Sequence, residues 1–434
     1  MSATGISAVR GRRVWDSRGR PTVEAEVRLA GGALGRAIAP AGASTGSGEA
    51  VDRRDGDSAV GGYGVDGAVA SVNGEIARAL GGLDASDQAA VDHRLIALDG
   101  TPSKGRLGGN ALIAVSMACA HAAAAAAGLP LWQHLLGDRT AVLPLPEIQI
   151  LGGGAHAGRR VDIQDFMVTA VGAESFDQAI AWTAEVYLQA GRLMADRGLL
   201  RGVADEGGFW PEFARNEDAL DVVLRAIEAA GLRPGEQMAI TLDVAASEFG
   251  RGGRYRLALE DRELDAGEMI DLVGGWLQRY PIVSVEDPLA EDDAEGMAAF
   301  TRAYGTRVQV IGDDFLVTNA ARVESAHAAG ACNALLVKPN QAGTLTETEA
   351  ALRAAQDRGW GTIVSARSGE TEDVTIVHLA VGWGAPQLKV GSFARSERMA
   401  KWNEGIRIEE ALGARARFAG RSGLPSGTVD GTPG

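Results

Sequence analysis

At 434 residues the chain is long enough for one large barrel plus a second, smaller domain. Its formal charge of −15 argues against nucleic acid or an anionic membrane surface as the main partner, and 46% hydrophobic with 23% charged residues is ordinary for a soluble globular protein. Cys119 and Cys332 are too few for a disulfide framework or a zinc site, and no apolar signal region precedes the charged run Arg10 to Arg13, so a cytoplasmic location is expected.

Residues from about 6 to 40 alternate in the manner of antiparallel strands, with a turn at Asp16-Ser17-Arg18-Gly19. The small-residue loop Ala39 to Glu49 reads either as a lid over a site or as a plain connection, and spacing alone favours the connection. From Ala68 to Leu136 the pattern is helical. Within it the stretch Ala111 to Leu129 is mostly alanine, which suits a tightly packed interior helix better than a membrane span. These elements predict an N-terminal α+β domain over residues 1–137, followed by a second domain over 138–434.

The second domain opens with Glu147 to Leu151, a glycine-rich turn, His156, and Asp162 to Val168, which predicts a hairpin. Helical runs follow over Ser175 to Arg197 and Glu217 to Ala230, with Asp205-Glu206-Gly207-Gly208 between them. A carboxylate followed by two glycines lets a ligand approach the backbone closely, whereas His156 alone reads more readily as structural. From Ala239 to Lys389 strand and helix alternate, the mark of βα units and a parallel barrel.

Three apolar runs in this region end in acids: Asp243, Glu286 and Asp313. Carboxylates delivered to one mouth by three strands suit Mg²⁺, which takes oxygen ligands and leaves positions open for substrate. A fourth run ends in Lys338. Beside a bound cation its pKa is expected to fall, which makes it a candidate general base.

Asp16-Ser17-Arg18-Gly19, Gly42-Ala43-Ser44-Thr45-Gly46, Asp205 to Phe209, Glu286-Asp287-Pro288, Gly312-Asp313-Asp314, Lys338 to Gln341, Arg367 to Asp373 and Arg395 to Arg398 resemble, in order, the motifs of the enolase family. The resemblance implies an (α/β)₈ barrel capped by the α+β domain, a homodimer or higher homo-oligomer, and two Mg²⁺, the second binding with substrate. It makes Asp243, Glu286 and Asp313 ligands of the first ion and Ser44 a ligand of the second. Lys338 becomes the base, and Glu206 the acid that assists loss of the 3-hydroxyl. Arg367 and Ser368 become phosphate contacts, Lys389 the carboxylate-side lysine, and His156, Gln164 and Asp165 substrate-site residues.

The chain departs from the family pattern at Ala366, where the family has His, and at Asp165, where it has Glu. Gly152 replaces an asparagine and Ala41 a lid serine. Ala366 and Asp165 fall where the family handles the 3-hydroxyl, and both changes make room. The reading is therefore a divergent enolase-type enzyme that forms a phosphoenolpyruvate-like enol ester from a small phosphorylated or phosphonylated three-carbon acid. Formation of carboxyphosphonoenolpyruvate in phosphonate biosynthesis is the specific expectation. Ordinary phosphopyruvate hydratase and a non-catalytic binding protein on the same fold are the alternatives.

Overall fold

The computed structural model describes residues 2–56 and 58–425. Strands β1 (Ile6–Trp15), β2 (Pro21–Leu29) and β3 (Leu34–Ile38) form an antiparallel sheet. The alanine-rich helix Gly109–Ala126 packs on β2 and β3 and is mostly buried, although it is long and apolar enough to cross a membrane. Small residues let the two layers touch. A Cβ built on Gly35 would lie 2.1 Å from the Ala118 carbonyl oxygen and 2.2 Å from the Ala122 nitrogen, so only glycine fits there. The helical stretch expected before it is divided, with helices at Asp66–Ser71, Ala77–Leu80 and Gln88–Asp99 and a π-helical turn at Val72–Ile76.

Eight strands close the barrel: β4 (Leu145–Gly152), β5 (Asp165–Thr169), β6 (Ala239–Asp243), β10 (Ile282–Glu286), β11 (Gln309–Gly312), β12 (Ala334–Val337), β13 (Gly361–Ser365) and β14 (Gln387–Ser392). Between β6 and β10 a small sheet of β7 (Gly250–Arg251), β8 (Arg254–Leu257) and β9 (Arg262–Asp265) is inserted. Every residue of the eight barrel strands is buried, as expected when helices cover the outer face and side chains fill the inside. Strand β5 runs antiparallel to both neighbours, and the remaining barrel pairs are parallel. The expected hairpin is thus β4 and β5, and two helices, Phe176–Asp196 and Glu217–Ala229, lead from β5 to β6.

The outer helices begin where the sequence supplies caps. Ser175, Asp293 and Thr344 each accept from the backbone of the first turn, and Asp265 with Glu268 forms a reciprocal capping box. Inside, Leu145, Val171, Ala239, Val283 and Leu424 plug the N-terminal end of the barrel. Above that plug the lining becomes polar: the Gln309 amide donates to Ser284 Oγ at 2.9 Å and to Gln387 Oε1 at 3.0 Å.

Candidate active site

The strand ends deliver the chemistry. Asp243 closes β6, Glu286 closes β10, Asp313 and Lys338 directly follow β11 and β12, and Lys389 lies within β14. Because β5 is reversed, its first residue, Asp165, and the preceding Gln164 open at that same mouth; Asp165 is the ladder partner of Asp243. Ser44, His156, Gln164, Asp165, Glu206, Asp243, Lys338, Ala366, Arg367, Ser368 and Lys389 line one cavity. Glu286 and Asp313 stand against it through the two lysines.

Lys389 Nζ lies 2.8 Å from Asp243 Oδ2, 2.8 Å from Glu286 Oε2 and 3.6 Å from Asp165 Oδ2. Lys338 donates to Asp313 Oδ2, whose other oxygen accepts from the Gln341 amide at 2.9 Å. The Gln164 amide donates to Asp243 Oδ2 at 3.0 Å. Burial and the neighbouring Asp243 push Glu286 well above the carboxylate range, while Lys389 overcomes burial at Asp243 and lowers it. The fall expected of Lys338 is the effect of a bound cation, and the protein groups alone set a different balance. Burial pulls its pKa down, but Asp313 and Glu286 outweigh that and raise it, so Lys338 holds its proton while this ion pair stands.

Asp287 and Asp314 were not singled out as site residues by the sequence. Their carboxylates can approach that of Asp313 so that one oxygen from each lies within 4.8 Å of the others. Asp287 also braces the backbone, since its oxygens accept from the Asp313 and Asp314 backbone nitrogens at 3.0 and 2.8 Å and so fix the loop after β11. Its φ of +38° is left-handed, a strained position for a residue with a side chain. Burial, then Asp313, push Asp314 up to about 8.

At the other wall, His156 sits in the short turn Gly154–Ala157, with Nδ1 3.7 Å from Glu206 Oε1 and no hydrogen-bond partner on that nitrogen. His156, Arg398 and Lys389 outweigh burial and lower Glu206, whereas burial and Glu206 push Asp165 up to about 6. Asp165 is oriented by Gln149, which donates to its carboxylate while accepting from Gly208 N at 2.8 Å. That one amide therefore ties Asp165 to the loop carrying Glu206. Ala366 contributes only a methyl group to the cavity wall.

The loop Ala39 to Glu49 lies over this mouth and is fastened to the barrel, so the plain connection favoured by spacing is not what forms. Ala41 and Gly369 exchange two backbone hydrogen bonds of 2.9 Å, and Ala43 N donates to Ser368 Oγ at 2.9 Å. Arg367 reaches back into the loop, donating to the Ser44 carbonyl at 2.9 Å and to both Glu49 oxygens at 2.9 and 3.2 Å.

Residues 6–135 match the family described as "Enolase, N-terminal domain", and residues 140–425 match "Enolase, C-terminal TIM barrel domain". The chain belongs to the enolase family. Its fold is accordingly the enolase one, an α/β barrel with an N-terminal capping domain, and the family's chemistry is Mg²⁺-dependent. The residues present fit such an ion. The donors are oxygens, Glu286 Oε1 and Gln164 Oε1 are buried without partners, and an ammonium already occupies the gap between Asp243 and Glu286.

Proposed function

We propose that this enolase-family chain is a Mg²⁺-dependent carbon–oxygen lyase. It removes the proton next to a substrate carboxylate and expels a group from C3, giving a phosphoenolpyruvate-like enol ester. Asp243, Glu286 and Asp313 would hold one Mg²⁺, with Ser44 serving a second, and such ions would supply positive charge where the enediolate develops. Lys338 takes the proton once its pairing with Asp313 is broken. Glu206, whose pKa is lowered in this structure, must first gain a proton and then delivers it to the departing group, and Gln164 and His156 orient the substrate. Lys389 faces the substrate carboxylate, and Arg367 and Ser368 face its phosphorus-bearing end.

The divergent reading rests on one observation: Asp165 and Ala366 line the same cavity as the retained base, acid and anion-binding groups. A methyl group in place of imidazole, and a carboxylate drawn back by about 1.5 Å, one C–C bond, favour a larger substrate or another leaving group. Carboxyphosphonoenolpyruvate formation is the specific form of this proposal. Ordinary phosphopyruvate hydratase is the second reading, favoured by the retention of Lys338, Glu206 and Arg367.

Turnover of 2-phosphoglycerate and of phosphonate analogues, measured side by side at saturating Mg²⁺, decides between the two. Conversion of 2-phosphoglycerate at about 10 s⁻¹ or faster would establish the ordinary enzyme. Preference for the phosphonate supports the divergent one. Turnover of neither, with Mg²⁺ bound, leaves a binding protein on the enolase fold.

A further inference from the structure

We propose that Glu147 is an internal acceptor for the Lys389 ammonium when a divalent cation takes Asp243 and Glu286. The inference rests on the enolase-type assignment of those two carboxylates.

Glu147 is the third residue of β4. Its side chain points into the barrel, sharing a face with Leu145 in the plug below it and with Gln149, which reaches Asp165, above it. It is 1% exposed, and neither carboxylate oxygen has a hydrogen-bond partner. Directly across the ladder stand Lys389 on β14 and Thr169 on β5. The hydroxyl of Thr169 is also buried without a partner, while that of Thr241 stands near enough to Glu147 to draw its pKa down without meeting hydrogen-bond geometry. A wholly buried carboxyl therefore lies beside a buried ammonium, and that ammonium passes it over for Asp243 and Glu286 at 2.8 Å each.

Buried polar groups are nearly always hydrogen-bonded, and leaving one unsatisfied costs about 1–3 kcal/mol. Packing gives no reason to keep such a group between an apolar plug and the site. Lys389 does: its ammonium sits between two carboxylates that a divalent ion would claim, and two cations in that gap repel. On the two strands nearest Glu147 in the barrel, Asp165 has one oxygen engaged by Gln149 and the other already 3.6 Å from the Lys389 ammonium, whereas neither oxygen of Glu147 has a partner, so Glu147 is the acceptor that the ammonium has still to gain. Burial pushes Glu147 up to about 7; Lys389 works against this, Asp243 adds to it, and the Thr241 hydroxyl works weakly against it. Near neutral pH the carboxyl is therefore protonated in part of the cation-free population, and any proton it holds leaves to solvent as the ammonium arrives.

The test uses the full chain and Mg²⁺ alone. The protein has four lysines, Lys104, Lys338, Lys389 and Lys401, all buried, so ¹⁵Nζ-lysine labelling gives a sparse spectrum in which Lys389→Arg assigns one signal. On titration of the native protein the Lys389 signal is expected to move. In Glu147→Gln, which keeps the shape and loses the charge, Mg²⁺ should bind at least tenfold more weakly by calorimetry, and the Lys389 shift should change. Glu147→Leu should melt at or above the native temperature without Mg²⁺, because it removes an unpartnered buried group. Native Mg²⁺ affinity and a native Lys389 shift in a folded Glu147→Gln would overturn the proposal while leaving the enolase-type reading intact. Absence of Mg²⁺ binding by the native protein would overturn both.

Discussion

At the scale of single residues the two halves of an elimination are carried by different groups. Lys338 and Glu206 line the same cavity, but their proton affinities are shifted in opposite directions: raised at Lys338, chiefly by Asp313 against burial, and lowered at Glu206, chiefly by His156 against burial. If Lys338 takes the α-proton, Lys338→Ala abolishes exchange of that hydrogen with deuterated solvent, whereas Glu206→Gln stops product formation and leaves exchange detectable. Mass spectrometry of recovered substrate reads both, and exchange surviving in Lys338→Ala removes its role as base. Asp165 and Ala366 set which group departs. Restoring bulk and reach with Ala366→His and Asp165→Glu together should raise the rate on 2-phosphoglycerate by about 10²–10⁴, the usual contribution of a positioned acid–base group. The same change should slow the larger native substrate by refilling the space. The Gln149 amide must shift to admit Glu at 165, so a Gln149→Asn background should enlarge the gain.

At the scale of elements the loop over the mouth is latched by one arginine. Arg367 Nη1 donates to Glu49 and Asn340, and Nη2 to Glu49 and the Ser44 carbonyl. Those four bonds use both hydrogens on each terminal nitrogen and leave only Nε–H for a substrate oxygen. Glu49→Gln keeps one neutral acceptor for Arg367, turns the other oxygen into an amide donor facing the guanidinium and loses the ion pair, so the loop should be cut faster by protease between residues 41 and 50, and KM for the anionic substrate should change more than kcat. Unchanged cleavage would mean that the backbone bonds of Ala41 and Ala43 hold the loop without it. The latch also explains what the sequence made legible. Acids and a lysine at the ends of apolar runs, and the βα alternation, are local patterns, and they located the barrel and most of its mouth. Glu49 and Arg367 are 318 positions apart, and nothing local to Glu49 announces an ion pair. Gln149, Asp287 and Glu147 were hidden for the same reason: each acts through a neighbour on another strand. The sequence gives the charge of Lys338 but not its contact with Asp313, so the rise which that contact causes was not legible.

At the scale of the whole molecule the barrel concentrates carboxylates whose pKa values are raised above those of the unfolded chain. Burial leads at each: Asp165 stands at about 6, Glu147 at about 7 and Asp314 at about 8, with Glu286 and Asp287 also raised. A raised carboxylate holds its proton in the native state where the unfolded chain has lost it. Its effect on stability is therefore felt as pH climbs from about 4, where unfolded carboxylates titrate, toward the folded pKa. Over that window the native state binds more protons, and stability falls. The histidines act in the opposite sense at lower pH: burial lowers His121, and lowers His378 to about 4, so stability gained from them rises toward the unfolded histidine value of about 6.5 and then stops. Lys338 and Lys389, whose pKa values are raised, remain protonated throughout and add no slope near neutrality. Without divalent ions the melting temperature should therefore decline from about pH 6.5 to pH 8. Saturating Mg²⁺ should flatten that decline, because an ion bound among these carboxylates favours their charged forms. Scanning calorimetry at four pH values with and without Mg²⁺ measures it. A melting temperature that rises from pH 6.5 to 8 in the absence of Mg²⁺ would show that the acidic residues behind the mouth are not held protonated by the fold.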